Sequence, residues 1–156
     1  MRRQEREVTG KAALEDILKA CKVCRLAMVE GGVPYIVPMN FGYSWHGDCL
    51  KLYFHSAAQG RKIDCLRRAE PVAFELDCGH ELVEGHAPCE CTYRFTSLMG
   101  VGKPAFCETA AEKTQALNFI MLHQTGRGEH TYPPAALERT AVFQITVTQL
   151  TGKQYR

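Results

Sequence analysis

Residues 23–43, "VCRLAMVEGGVPYIVPMNFGY", decide the fold class. Two runs rich in β-branched and aromatic residues flank Gly31-Gly32, the dipeptide favoured in tight primed turns, so the stretch reads as a β-hairpin. Pro34 and Pro38 share one parity within the second run. Each removes a ladder donor, which puts part of that strand at an edge or a gap. Outward from the hairpin, "SWHGD" (44–48) is the next turn and "CLKLYF" (49–54) a third strand, with Leu50, Leu52 and Phe54 on one face by period two. Three strands in hairpin succession predict an antiparallel meander.

The flanks support a mainly β chain. A helix is predicted over 12–21, with Ala13, Leu14, Ile17 and Leu18 on one face, and another over 57–68, turning Ile63 and Leu66 inward. Pro71 opens the strand "VAFELD" (72–77), and "CGHELVEGHAPCEC" (78–91) reads as a loop. "TYRFTSLMGVGKPAFCE" (92–108) is a long strand bent at Gly100, Gly102 and Pro104. Thr109 and Glu112 form a capping box for a helix reaching about His123, with Leu117, Ile120 and Met121 inward. The final strand, "AVFQITVTQL" (141–150), buries Phe143, Ile145 and Val147. Strands and helices do not alternate as a parallel sheet requires. The expectation is one domain over 1–156, a six-stranded antiparallel barrel with peripheral helices.

Composition narrows the function classes. The chain has 156 residues, 46% of them hydrophobic, which suffices for a folded core. A formal charge of +2, with cations and acids interleaved, leaves no footprint for nucleic acid. "MRRQEREVTG" (1–10) has no apolar run behind its arginines and does not read as a secretory signal. No stretch reaches membrane-spanning length. The expectation is a cytoplasmic protein without a membrane partner, whose eight cysteines are reduced.

The chemistry is concentrated in "YFHSAAQGRKID" (53–64). Ser56 and Gln59 have capping-box spacing, which accounts for both without a ligand. Gly60, Arg61 and Lys62 are not so explained. Within the first turns of a helix the glycine costs about 1 kcal/mol relative to alanine. Each cation opposes the macrodipole by roughly 0.3–1 kcal/mol. A bound phosphate offsets all three, and a solvated basic face is the alternative. One strand earlier, Asn40 beside Pro38 offers a donor and an acceptor to a heterocycle edge. Together the two signals describe a flat ring along the strand with its phosphate at the following helix.

These residues, with "HELVEG" (80–85) and residues 93–108, resemble the pyridoxamine 5′-phosphate oxidase-like flavoproteins, and within them the 5-nitroimidazole-resistance branch. The resemblance spans almost the whole chain and implies a Greek-key-like split β-barrel, a homodimer and FMN at the subunit interface. By motif, Val37, Pro38, Met39 and Asn40 would line the isoalloxazine, with His55 and Ser56 at the phosphate end and Arg61 and Lys62 binding the phosphate. Ser97 would reach the flavin from the other subunit. Reduced FMN would pass electrons to a small acceptor such as a nitro group. No residue must act as a general acid; His55 is the candidate in principle. Cys91 departs from the family pattern, which often has an aromatic there.

Two other readings stay open. One is a non-catalytic module of the same fold that stores or senses a flavin or a haem-like ligand. The other is a thiolate zinc protein built on Cys21-x-x-Cys24 and Cys89-x-Cys91, the second pair one residue short of the usual knuckle. Buried thiols acting as small hydrophobes account for the cysteines without metal. His80-Glu81 with Pro88-Cys89-x-Cys91 falls a residue short in both halves of a zinc-deaminase signature and is set aside. Trp45 reads as a packed aromatic in a turn.

Overall fold

The period-two patterns become strands throughout. The computed structural model describes residues 3–155; Met1, Arg2 and Arg156, at the ends of the sequence, lie outside it. In chain order the elements are β1 (Glu7–Val8), α1 (Lys11–Ala20), β2 (Val23–Glu30), β3 (Val33–Asn40), β4 (Gly42–His46), β5 (Cys49–Ala57) and α2 (Arg61–Arg67). They continue with β6 (Val72–Val83), β7 (Thr92–Phe106), α3 (Ala110–Thr125), α4 (Pro134–Arg139) and β8 (Thr140–Tyr155). Gly31 and Gly32, at φ +56° and +80°, close the β2–β3 hairpin in the left-handed region that glycine enters freely.

All described strand pairs are antiparallel, in the order β3-β2-β6-β7-β8-β5-β4, with β1 added to β8. Among the described residues there are eight strands where six were expected, because the second run breaks at Phe41 and β1 is an extra ribbon. The meander is corrected as well. β3 and β4 follow one another through Phe41 alone, yet stand at opposite ends of the sheet path. No ladder joins them among the described residues, so the sheet curls without closing. Among the described residues β3 pairs only with β2, the edge position its prolines require.

Part of the expected loop over 78–91 is strand. β6 runs on to Val83 beside β7, with an irregularity between Cys78 and Glu81. The bend expected in β7 is a register shift between Val101 and Gly102 against β8. The main core is built from Leu26, Phe41, Leu52, Phe54, Leu76 and Phe143, all essentially inaccessible. Val147, expected inside, is half-buried against it. α3 covers a second cluster of Tyr53, Ala116, Ile120 and Val142, so β5 is buried on both faces. Among the described residues no helix is long and apolar enough to cross a membrane.

Candidate functional site

The helix after β5 starts later than its sequence suggests. β5 keeps pairing with β8 through Ser56 and Ala57, opposite Ala141 and Thr140. Ser56 is therefore a strand residue, and its hydroxyl donates to the Ala57 carbonyl (2.9 Å) instead of capping a helix. The expected box of Ser56 and Gln59 does not form. Gly60 is the N-cap, at φ +130°, and its carbonyl accepts the amides of Ile63 (2.8 Å) and Asp64 (3.2 Å). It lies outside the helix, in a conformation that favours glycine, so a turn explains it without a ligand. Arg61 and Lys62 are the first two helical residues.

The two cations differ in their surroundings. Arg61 Nε donates to Glu30 (2.6 Å) at the end of β2, and its guanidinium lies 4.3 Å from the Tyr35 ring centre on β3. Glu30 also pairs with Arg68 at 3.6 Å. Lys62, half-buried, has neither an ion-pair nor a hydrogen-bond partner among the described residues. His55 is exposed on β5, yet loss of hydration, reinforced by the positive charge of Lys62, pushes its pKa down. His55 therefore feels the charge of Lys62, while Arg61 is committed to the β2–β3 hairpin.

The four residues expected along a ring split between two faces. Val37 packs half-buried against the core and Met39 is only 8% exposed, whereas Pro38 and Asn40 point outward with Ile36. The Asn40 side chain is already engaged, donating to the Lys22 carbonyl (3.2 Å). On the outer face Pro38 is level with Arg25, Glu75, Met99 and Thr151 across five strands, and Ile36 with Ala27, Ala73, Val101 and Gln149. Ser97 shares this face, paired with Asp77 and Lys153. Three strand spacings put it about 14 Å from β3 within one chain.

Sequence reasoning missed the cluster on this face. Arg25 pairs with Glu75 (2.9 Å) and with Asp77, and His80 Nε2 lies 2.7 Å from the other Asp77 oxygen. Around it runs a shallow apolar groove of about 580 Å³, with Ile36 62% and Met99 46% exposed. The only local signal was Arg25 on the outward parity of β2, beside Ala27. A larger groove of about 1060 Å³, lined by Glu112, Asn118, Phe119, Tyr132 and Leu137, contains none of the expected site residues.

The cysteines separate by environment. All eight are free; Cys21 and Cys24 are buried, whereas Cys89 and Cys91 are exposed. Burial pushes both buried thiols far up, reinforced at Cys21 by the neighbouring Cys78 thiol. The two pairs do not converge on one four-thiolate site. Among the described residues no three His, Cys, Asp or Glu side chains are grouped to hold a metal.

A protein-family model described as pyridoxamine 5′-phosphate oxidase matches residues 10–154. No curated protein matches the chain significantly. Among solved structures, a candidate 5-nitroimidazole antibiotic resistance protein from Bacteroides thetaiotaomicron is 36% identical, covering 95% of this chain and 86% of its own, with a TM-score of 0.81. A flavocytochrome from Azotobacter vinelandii has a TM-score of 0.82 at 18% identity, over 100% of this chain and 72% of its own. A FAD-binding protein from Mesorhizobium loti has a TM-score of 0.65 at 24% identity, over 97% and 98%. The last two likenesses concern the fold alone.

Proposed function

The chain belongs to the pyridoxamine 5′-phosphate oxidase family, and from that premise we propose that it is a dimeric FMN-binding oxidoreductase acting on a small acceptor such as a nitroimidazole. One observation carries the flavin site: Arg61 over Tyr35 brings the basic start of α2 beside the edge strand β3. The sequence offered a ring-binding strand and a phosphate-binding stretch as separate signals, and here they are neighbours.

The residues present suit the cofactor. Pro34 and Pro38 have no N–H, so their nitrogens point away from β2, and the amides of Ile36 and Asn40 share that direction. An edge strand with outward amides offers a planar heterocycle a row of donors, and Pro38 an apolar rest. Lys62 binds the phosphate, Arg61 adds charge from its place on Tyr35, and neutral His55 supplies a hydrogen bond. Met39 and Val37 act from behind by fixing the strand on the core. When bound, reduced flavin supplies the electrons that an acceptor takes up. Around it the chain binds, orients and excludes water.

The apolar groove on the outer face is where a second copy sits, its Ile36 and Met99 too exposed to be left to solvent. Ser97, too far from β3 within its own chain, reaches the ring from that copy. The test is spectroscopic. Purified protein should show the two-band absorbance of an oxidised flavin, released as FMN on denaturation, and its anaerobically reduced form should be reoxidised by nitroimidazoles. A Soret band or a colourless protein that takes up no flavin would overturn the proposal. Bound flavin that no acceptor reoxidises would leave a non-catalytic carrier of the same fold.

A further inference from the structure

The joint between the sheet's two ends is held from outside by the last turn of α3. Gln124 Nε2 donates both hydrogens, to the Phe41 carbonyl (2.9 Å) and to the Lys22 carbonyl (3.1 Å). The Lys22 carbonyl also accepts from the Asn40 side chain (3.2 Å), which fills both its lone pairs. In return Lys22 Nζ donates to the His123 carbonyl (2.6 Å), one of the acceptors a helix end leaves without an intrahelical partner. His123 Nε2 lies 2.8 Å from the Cys21 carbonyl, and its ring packs 4.6 Å from that of Phe41. At Gly42 a Cβ would collide with the α3 backbone at Phe119 and Ile120. Residues 41 and 42 are thus fixed against one helix directly, and residue 40 is tied to it through the Lys22 carbonyl it shares with Gln124.

Ordinary packing does not demand this arrangement. Phe41 is wholly buried and needs no further anchor for its ring. The polar contacts instead fix backbone at the point where β3 loses its ladder and the chain crosses to the other end of the sheet. We propose that Gln124 and His123 are positioning residues for flavin: Gln124 through the Lys22 and Phe41 carbonyls, and His123 through the Cys21 carbonyl, set the direction of Asn40 and of the outward amide row on β3. Neither side chain touches the cofactor. The inference rests on the flavin reading above, and it reassigns Asn40, whose side-chain NH₂ serves the joint while its main-chain amide serves the ring.

The experiment titrates FMN into full-length apoprotein and melts each variant without ligand. Gln124→Leu removes both donors at nearly constant size and should weaken FMN about tenfold, the effect of about one net hydrogen bond of alignment. It should also alter the circular dichroism of the bound flavin. Gln124→Lys, which restores a donor to the two carbonyls, should recover most of the affinity. Thr109→Ala, at the far end of the same helix, should lower the melting temperature while leaving the FMN dissociation constant within about twofold. Should Gln124→Leu fail to fold, Gln124→Asn, a shortened amide, carries the comparison. Parent-like FMN affinity and dichroism in Gln124→Leu (or in Gln124→Asn where that replaces it), or an equal loss in Thr109→Ala, would overturn the inference alone. A parent protein that binds no flavin would overturn the inference together with the flavin reading.

Discussion

Arg61 and Lys62 are adjacent cations in different surroundings, and those surroundings bear on what each can offer a phosphate. Arg61 already has a carboxylate and an aromatic face, while Lys62 has neither among the described residues. An incoming phosphate therefore gains more from Lys62, because nothing has to be displaced. Lys62→Ala should weaken FMN by about 10- to 100-fold, the range for a charge-assisted hydrogen bond, and leave riboflavin binding unchanged. Arg61→Ala should have the smaller effect on FMN and cost under about 1 kcal/mol of stability, since its pair with Glu30 is half in solvent. Equal losses of FMN and riboflavin would place Lys62 away from the phosphate. The histidines add a pH dependence. Desolvation lowers the pKa of both His55 and His123 in the folded chain, so the unfolded chain takes up protons first as pH falls. Their contribution is complete above the ordinary imidazole value and is lost as pH drops below it towards the folded values. Apoprotein melting should decline from about pH 7 to about pH 5, and His55→Gln with His123→Gln should flatten that slope.

Ser56-x-x-Gln59 and Thr109-x-x-Glu112 carry the same helix-start spelling, and of these only the second starts a helix. At α3, Thr109 Oγ1 accepts the Glu112 amide (3.2 Å), and the Glu112 carboxylate accepts the amides of Thr109 (2.9 Å) and Glu108 (3.0 Å). At α2 the spelling fails because β8, some 85 residues downstream, pairs with Ser56 and Ala57 and keeps them in the strand. Local pattern shows a helix start wherever no distant strand claims the residues. Thr109→Ala should therefore lower stability by about 1 kcal/mol, and Ser56→Ala should stay within about 0.5 kcal/mol of the parent in chemical denaturation. A large loss at Ser56 would mean that its contact with Ala57 matters more than a strand-edge hydroxyl should. The same rule governs the site. The turn at Gly31-Gly32 and the edge position of β3 were legible from residues within one hairpin. The Arg25 cluster was not, because its carboxylates arrive on β6, 50 and 52 residues away. The clamp on Phe41 escaped for the same reason, since Gln124 lies 83 residues on.

At the level of the whole molecule, the hairpins were readable but their order was not. β2–β3 and β4–β5 look like one continuous ribbon in sequence, yet β6, β7 and β8 lie between them in the sheet. Only the pairing of three later strands separates the two hairpins, and no periodicity inside 23–57 encodes it. That insertion creates the broad outer face from β3 to β8, on which Pro38, Asn40 and Ser97 lie together with the apolar groove. If this face joins two copies, cofactor retention and association must fail together. Ile36 and Met99 each contribute about 1.5–3 kcal/mol if fully covered. A carboxylate in place of Met99 would also stand beside Glu75, already opposite it in register. Met99→Glu combined with Ile36→Lys should thus leave a folded monomer in sedimentation equilibrium. The circular dichroism of that monomer should match the parent, because neither side chain enters the core. Its flavin should be lost, since Ser97 of a second copy no longer reaches β3. Persistence of the dimer would move the interface to another face. A flavin-loaded monomer would instead return the whole ring site to one chain and remove Ser97 from it.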